Sequence, residues 1–235
     1  MPFGFVVDDE GPDKAGEGGA ARFAYELADR VLDPQHLERC PSCQVLGEVY
    51  ACVGLIPTPL SAEAERWLVE LLPEDIEQLP GYLLRKAISE YGYSGELGEA
   101  LRRQGLLTAP GAFTRHFGPF FRRFTVSSSQ LLEEMLLAGD VAPSHALALL
   151  IHLGGLLVDD ERPLALESGA QLAELMQEPG QRRARTQLAI EDIDESDDPS
   201  LAGLKRYLGA LYAGFVLDTN VLVFAPDLGA PHAGD

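Results

Sequence analysis

The chain has 235 residues, 46% of them hydrophobic, and its 37 acidic and 18 basic side chains give a net charge of −19. This composition is typical of a globular protein and excludes a chain that is disordered throughout. No apolar run reaches the roughly 18 residues needed to cross a bilayer, and three cysteines are too few for a disulfide scaffold. The excess of negative charge disfavours broad nucleic-acid binding. Because the amino terminus is acidic, unlike a secretory signal, we expect a cytoplasmic protein that does not bind membranes.

The first 58 residues are predicted to form a small portion of mixed α and β structure. Residues 3–7 and 45–56 are rich in apolar, β-branched and aromatic side chains, which is typical of strands. Residues 20–32 repeat apolar side chains at helical spacing, and Pro34 follows them. The sequence therefore predicts a strand, a helix and a second strand in residues 1–58.

From residue 59 onward the pattern is mainly helical. Ser61 is placed to cap a helix that continues to residue 72, and Pro73 ends that element. Further helices are predicted at residues 82–91, 96–104, 131–138, 144–157, 164–177 and 201–216. We therefore predict a mainly α protein, an irregular helical bundle over residues 59–225 with a small strand-containing amino-terminal portion, and a flexible tail at residues 226–235.

The three cysteines lie close together and near a histidine. His36, Cys40, Cys43 and Cys52 form the pattern H-x3-C-x2-C-x8-C. Zinc takes four thiolate or imidazole ligands in a tetrahedron, and a C-x2-C turn places two thiolates on one ion, so these four residues are candidate zinc ligands. Two alternatives stay open: Cys40 and Cys43 form a redox pair that cycles through a disulfide, or the cysteines are small buried side chains without a ligand.

Charge is distributed unevenly along the chain. Residues 127–235 carry 18 acidic and 6 basic groups, a net of −12, and six of these carboxylates fall in residues 191–198, predicted to be a solvated linker. Residues 100–132 contain no acidic side chain, and residues 113–124 interleave cations with rings, which is typical of segments that bind single-stranded nucleic acid. The candidate residues for an anionic ligand or partner are Arg115, Phe120, Phe121, Arg122 and Arg123. The alternative is that these arginines face the acidic carboxy-terminal third of the same chain.

Two histidines share one face of a predicted helix. His145 and His152 are seven residues apart, which places them two turns, about 10.5 Å, from each other. Because that separation is too large for one metal ion, we predict each to be a surface or core histidine.

No complete set of catalytic residues is recognisable in the sequence, so we expect a binding protein more than an enzyme. The leading hypothesis is a non-catalytic protein-binding module, such as an adaptor, an immunity-type inhibitor or a dedicated chaperone, whose acidic helical surface attracts a basic protein partner. The alternative is a zinc-stabilised or thiol-redox protein centred on Cys40 and Cys43. A second alternative is a nucleotide or RNA binder that uses residues 113–124.

Overall fold

The computed structural model describes residues 2–8, 35–73, 79–118, 124–136, 139–158, 162–163, 173, 176 and 179–225. Within these ranges the helices are α1 (His36–Arg39), α2 (Pro41–Leu46), α3 (Ala62–Glu70), α4 (Leu79–Tyr91), α5 (Glu96–Arg103), α6 (Ser128–Leu136), α7 (Pro143–His152), α8 (Pro179–Arg185) and α9 (Pro199–Leu217). The strands are β1 (Phe3–Val7), β2 (Val53–Ile56), β3 (Thr114–Phe117), β4 (Phe124–Ser127), β5 (Gly139–Val141), β6 (Leu156–Val158), β7 (Arg162–Pro163), β8 (Thr186–Leu188) and β9 (Val221–Phe224).

An antiparallel four-stranded sheet in the order β2-β1-β9-β5 forms the centre of the fold. β1 pairs with β2 in a register that places Phe3 opposite Ile56, and it pairs with β9 so that Val7 lies opposite Val221. All five residues of β1 are buried, which explains why this strand is a continuous apolar run and does not alternate.

The prediction of a mainly α helical bundle is wrong, because the protein has mixed α and β structure. Besides the central sheet there are two smaller antiparallel sheets, β3-β4 and β7-β6-β8. The described strands after residue 58 have only two to four residues. A strand of so few residues does not show a clear alternation of apolar and polar side chains. Its sequence therefore resembles that of a helix or a loop. Residues 144–157, for example, divide into α7, a turn at Gly154 and strand β6.

The central sheet combines segments from both sides of residue 58, since β1 and β2 precede that position and β5 and β9 follow it. The predicted tail at residues 226–235, the predicted helix at residues 20–32 and most of the predicted helix at residues 164–177 lie outside the described residues.

Several predicted helices are confirmed. Ser61 caps α3 as expected, because its Oγ accepts a hydrogen bond from the Ala64 N–H at 3.0 Å. α4, α5 and α9 lie close to the predicted ranges.

None of the described helices combines the length and the apolar character that a membrane span requires.

Two glycines allow α9 to pack closely against the central sheet. A Cβ atom at Gly203 would lie 2.8 Å from the carbonyl oxygen of Leu55, and one at Gly214 would lie 2.7 Å from Cγ2 of Val221. Both distances are shorter than a carbon atom tolerates. The absence of a side chain at these positions therefore sets the spacing between α9 and the strands β2 and β9.

A buried ion pair joins α3 to α5. Arg102 donates from Nη1 to Oε1 of Glu65 at 2.9 Å and from Nη2 to the second carboxylate oxygen, and Nη2 also donates to the hydroxyls of Ser128 and Ser129. The side chain of Glu65 is fully buried and that of Arg102 is 8% exposed. A further carboxylate, that of Glu99, lies 3.6 Å from Arg102 Nε.

Candidate metal centre

Two short helices position the first three residues of the cysteine pattern. His36 begins α1, and Cys40 links α1 to α2 in an extended conformation with φ −84° and ψ 112°. Pro41 occupies the first position of α2, where its fixed φ and missing N–H are compatible with a helix. Cys43 follows within α2, so the C-x2-C motif opens a short helix that the sequence did not predict.

A turn after α2 brings Cys52, the fourth residue of the pattern, close to the first three. α2 ends at Gly47, whose φ of 71° is in the left-handed region, and Tyr50 also has a positive φ, 61°. Cys52 directly precedes β2. The strand predicted at residues 45–56 is therefore limited to its last four residues, because the left-handed cap at Gly47 ends one helix and begins a turn.

The side chains of His36, Cys40, Cys43 and Cys52 meet in one place, which we call the histidine-cysteine cluster. Nε2 of His36 lies 3.1 Å from Sγ of Cys52. The ligand atoms of the four residues all lie within 4.8 Å of one another. His36 is 7% exposed, Cys40 is 6% exposed, and the other two cysteines are completely buried. The cluster could hold a metal ion.

Hydrogen bonds in the cluster favour a thiolate at Cys43. The largest effect comes from the Cys40 side chain, followed by the Cys52 side chain, and the backbone of Cys52 and Ala51 contributes further. Burial acts in the opposite direction, yet the sum lowers the pKa of Cys43 from 9.0 to about 3. The thiolate is the form of cysteine that binds a metal ion and the form that attacks a disulfide.

The histidine-cysteine cluster is attached to the central sheet. The carbonyl oxygen of Cys52 accepts a hydrogen bond from the N–H of Val7 in β1 at 2.8 Å. The ring of His36 stacks on that of Tyr50, with centroids 5.0 Å apart and an angle of 21° between the planes. Because the cysteines also belong to the hydrophobic core, the positions of the four ligand atoms depend on the packing of the whole fold.

Three thiolates and one imidazole are a complete ligand set for tetrahedral coordination. An ion held by all four would have no open position for water or substrate, which distinguishes structural sites from catalytic ones. None of the three cysteines forms a disulfide in the structure. The same proximity of Cys40 and Cys43 keeps disulfide formation as the chemical alternative.

Among the candidate anion-binding residues in residues 113–124, the structure describes one, Arg115. Arg115 donates from Nη1 to the carbonyl oxygens of Leu72 and Glu70, the latter at 3.0 Å. Its guanidinium also lies over the ring of Phe117, 5.7 Å from the centroid. Arg115 therefore binds carbonyl groups at the carboxy-terminal end of α3, where a cation is favourable. The other candidates lie outside the described residues, so anion binding by this segment stays a prediction: Phe120, Phe121, Arg122 and Arg123.

A buried pair of titratable residues was not predicted. Nδ1 of His152 lies 3.0 Å from Oε1 of Glu134, and both residues are 2% exposed. Together with His145 they line a cavity of about 460 Å³ between α4, α6 and α7. The signal in the sequence is Glu134, one of two adjacent carboxylates among the apolar residues of α6. This signal is weak, because nothing in the sequence links Glu134 to His152.

The chain matches no protein-family model, and comparisons with curated proteins and with solved structures also give no match. Its function is therefore inferred from the geometry and chemistry of these sites.

Proposed function

We propose that the protein is a zinc-stabilised binding protein in which the histidine-cysteine cluster holds one zinc ion. The observation that carries the proposal is the mutual distance of the four ligand atoms, all within 4.8 Å. Zinc bonds of about 2.3 Å to sulfur and about 2.0 Å to nitrogen require neighbouring ligand atoms roughly 3.5–3.8 Å apart in a tetrahedron. Small side-chain rotations are enough to reach that geometry.

The ligand types support zinc over other metals. Thiolates together with imidazole are the ligands of structural zinc sites, whereas magnesium and calcium take oxygen ligands. The four side chains are buried, so the zinc would contact neither a substrate nor bulk water. Its role would be to hold α1 and α2 against β1 and β2. A reducing compartment keeps thiols available to a metal, which supports a cytoplasmic location.

A pair of matched histidine variants tests the proposal. His36→Gln removes one ligand, and His116→Gln makes the same change at an exposed histidine of β3. We expect about one zinc per chain by elemental analysis of the wild type, with thiols protected from a thiol reagent. The His36→Gln variant should bind zinc at least tenfold more weakly, and the His116→Gln variant should bind it like the wild type.

Two results would contradict the zinc site. A chain that takes up no zinc and forms a reversible disulfide between Cys40 and Cys43 would support redox chemistry. A chain that takes up no zinc and keeps unreactive thiols would assign the cysteines to the core alone.

An ordered acidic loop supports a second role, binding of a basic protein. The loop comprises residues 191–196, all of them exposed, and Lys205 fixes it by donating to the carbonyl oxygen of Asp192 at 3.0 Å. Hydrogen bonds within the loop, and one from the Asp194 N–H to the Asp197 carboxylate, make it more structured than the linker predicted at residues 191–198. Residues 191–193 of the loop and Glu48, which follows α2, line one cavity of about 390 Å³. The exposed side chains of Ile193 and Arg206 also line this cavity.

This surface combines negative charge with some apolar area, and such a combination suits a lysine-rich partner. A lysine-rich peptide is the probe, with binding measured by fluorescence anisotropy at low and high salt. We expect Asp192→Lys to weaken binding at least threefold and to reduce its salt dependence. Asp140→Lys, the same charge change at an exposed position of β5, should have less effect. Equal effects of the two variants would contradict a specific role for the acidic loop.

A further inference from the structure

The buried pair formed by Glu134 and His152 carries an inference that is independent of the metal cluster. Nδ1 of His152 lies 3.0 Å from Oε1 of Glu134, so the contact uses one polar atom of each side chain. The other polar atom of each side chain, Oε2 of Glu134 and Nε2 of His152, takes no part in it. In the imidazole tautomer that donates from Nδ1–H to the carboxylate, both of these atoms are acceptors.

Both remaining acceptors lack a hydrogen-bond partner among the residues that the structure describes. A buried polar atom without a partner is costly, and a buried carboxylate oxygen especially so. Glu134 and His152 both line the cavity of about 460 Å³ between α4, α6 and α7. This volume is in the range of small-molecule sites. The missing donors are therefore expected to come from a molecule in the cavity.

The remaining lining favours a positively charged occupant with an apolar body. Two tyrosines, Tyr91 and Tyr93, contribute rings whose faces attract cations. Burial, and then the negative charge of Glu134, raise the pKa of Tyr93 to about 12, so its hydroxyl stays neutral. Burial is likewise the main cause that lowers the pKa of His145, which therefore adds no positive charge.

One cation, Lys86, also lines the cavity. Its side chain is 43% exposed, and its ammonium lies 3.7 Å from the carboxylate of Glu90 on the next turn of α4. Because this charge is solvated and paired, its repulsion of an occupant near the buried Glu134 is weak.

We propose that the cavity between α4, α6 and α7 binds a small organic cation with a primary ammonium or amidinium group, whose N–H groups donate to Glu134 and His152. Such a group supplies at least two N–H donors and one positive charge. Its apolar body would lie against the side chains of Leu83, Ala87 and Ala148, which also line the cavity.

Three ligands of the same size but different charge test this proposal. Benzamidine is the cation, benzamide the neutral analogue and benzoate the anion, each titrated into the purified wild-type chain by calorimetry. We expect saturable binding of one benzamidine per chain, with benzamide and benzoate at least tenfold weaker. Equal binding of benzamide, preferential binding of benzoate, or no heat with benzamidine at millimolar concentration would overturn the proposal. In the last case water would supply the missing hydrogen bonds.

Matched variants locate the binding. Glu134→Gln removes the buried charge and should weaken benzamidine binding at least tenfold. Glu133→Gln makes the same change one residue earlier, where the carboxylate accepts the Gly95 N–H at 2.5 Å, and should change binding less than threefold. Ala148→Phe fills the cavity without changing charge and should abolish binding even if the Glu134 variant fails to fold. Unchanged binding in the Ala148→Phe variant would overturn the assignment.

Discussion

His36 and Cys52 are sixteen residues apart in the sequence, yet Nε2 of the histidine lies 3.1 Å from Sγ of the cysteine. Cys52 is in turn hydrogen-bonded through its carbonyl oxygen to Val7 of the central sheet. A metal ion bound between these side chains would therefore connect α1 directly to the sheet. This relationship leads us to expect that metal binding and the stability of the fold are coupled.

Removal of zinc should destabilise the protein. An ion that binds only the folded chain adds about 4 kcal/mol when its free concentration is a thousandfold above the dissociation constant. We expect a strong chelator to lower the thermal midpoint of the wild type. A Cys43→Ala variant, which lacks one ligand, should show a low midpoint that the chelator does not change. If the wild type unfolds at the same temperature with and without chelator, the coupling is absent.

The two carboxylates near Arg102, those of Glu65 and Glu99, should contribute very different amounts to the stability of the fold. Glu65→Ala leaves the buried guanidinium of Arg102 without its main partner and should cost about 3–5 kcal/mol of unfolding free energy. Glu99→Ala removes a carboxylate that is 55% exposed and 3.6 Å from the same arginine, and it should cost at most about 1 kcal/mol. Denaturant unfolding measures both. Equal losses would mean that burial does not determine the strength of these contacts.

One added methyl group at Gly203 should disturb the packing of α9 against β2 and lower the free energy of unfolding. Gly203→Ala places a carbon 2.8 Å from the Leu55 carbonyl oxygen and 2.9 Å from the Ile56 Cα, so we expect a loss of about 1–3 kcal/mol. Gly111→Ala is the control, because a Cβ there meets no atom within 4 Å. Its effect on the free energy of unfolding should stay below about 0.5 kcal/mol. A similar loss in both variants would show that the close approach is unimportant.

Acid should weaken the amino-terminal cap of α9. Burial acts to raise the pKa of Asp198, but hydrogen bonds from the hydroxyls of Ser200 and Ser61 and from the N–H groups of Leu201 and Ser200 outweigh it and lower the pKa below 3.8. A group whose pKa is lower in the folded state stabilises that state above its unfolded pKa. This contribution is lost as the pH falls through the lowered value.

The Asp198→Asn variant isolates this contribution. Asparagine also caps helices but carries no titratable carboxylate. The difference in unfolding free energy between wild type and variant should shrink as the pH falls from about 6 to about 2.5, measured by denaturant unfolding. A difference that is constant over this range would show that the charge of Asp198 does not contribute.

The sequence was informative where the determinants are local. The Ser61 cap and α9 follow from neighbouring residues, and the spacing of His36 and the cysteines identified these four residues as candidate metal ligands. The pairing of β1 with β9 could not be predicted from the sequence, because the two strands are more than 200 residues apart. The contact between Glu134 and His152 could not be predicted either, because the two residues lie on different helices. The helix α2 was missed because the apolar run that follows it resembles a strand.

Zinc K-edge X-ray absorption of the purified, zinc-loaded protein tests the central claim most directly. We predict a coordination shell of three sulfur atoms at about 2.3 Å and one imidazole nitrogen at roughly 2.0–2.1 Å, with about one zinc per chain. His36→Gln should remove the imidazole signal, whereas His116→Gln should leave the spectrum unchanged. A shell dominated by oxygen and nitrogen, or a chain that retains no zinc under reducing conditions, would contradict zinc coordination by the histidine-cysteine cluster.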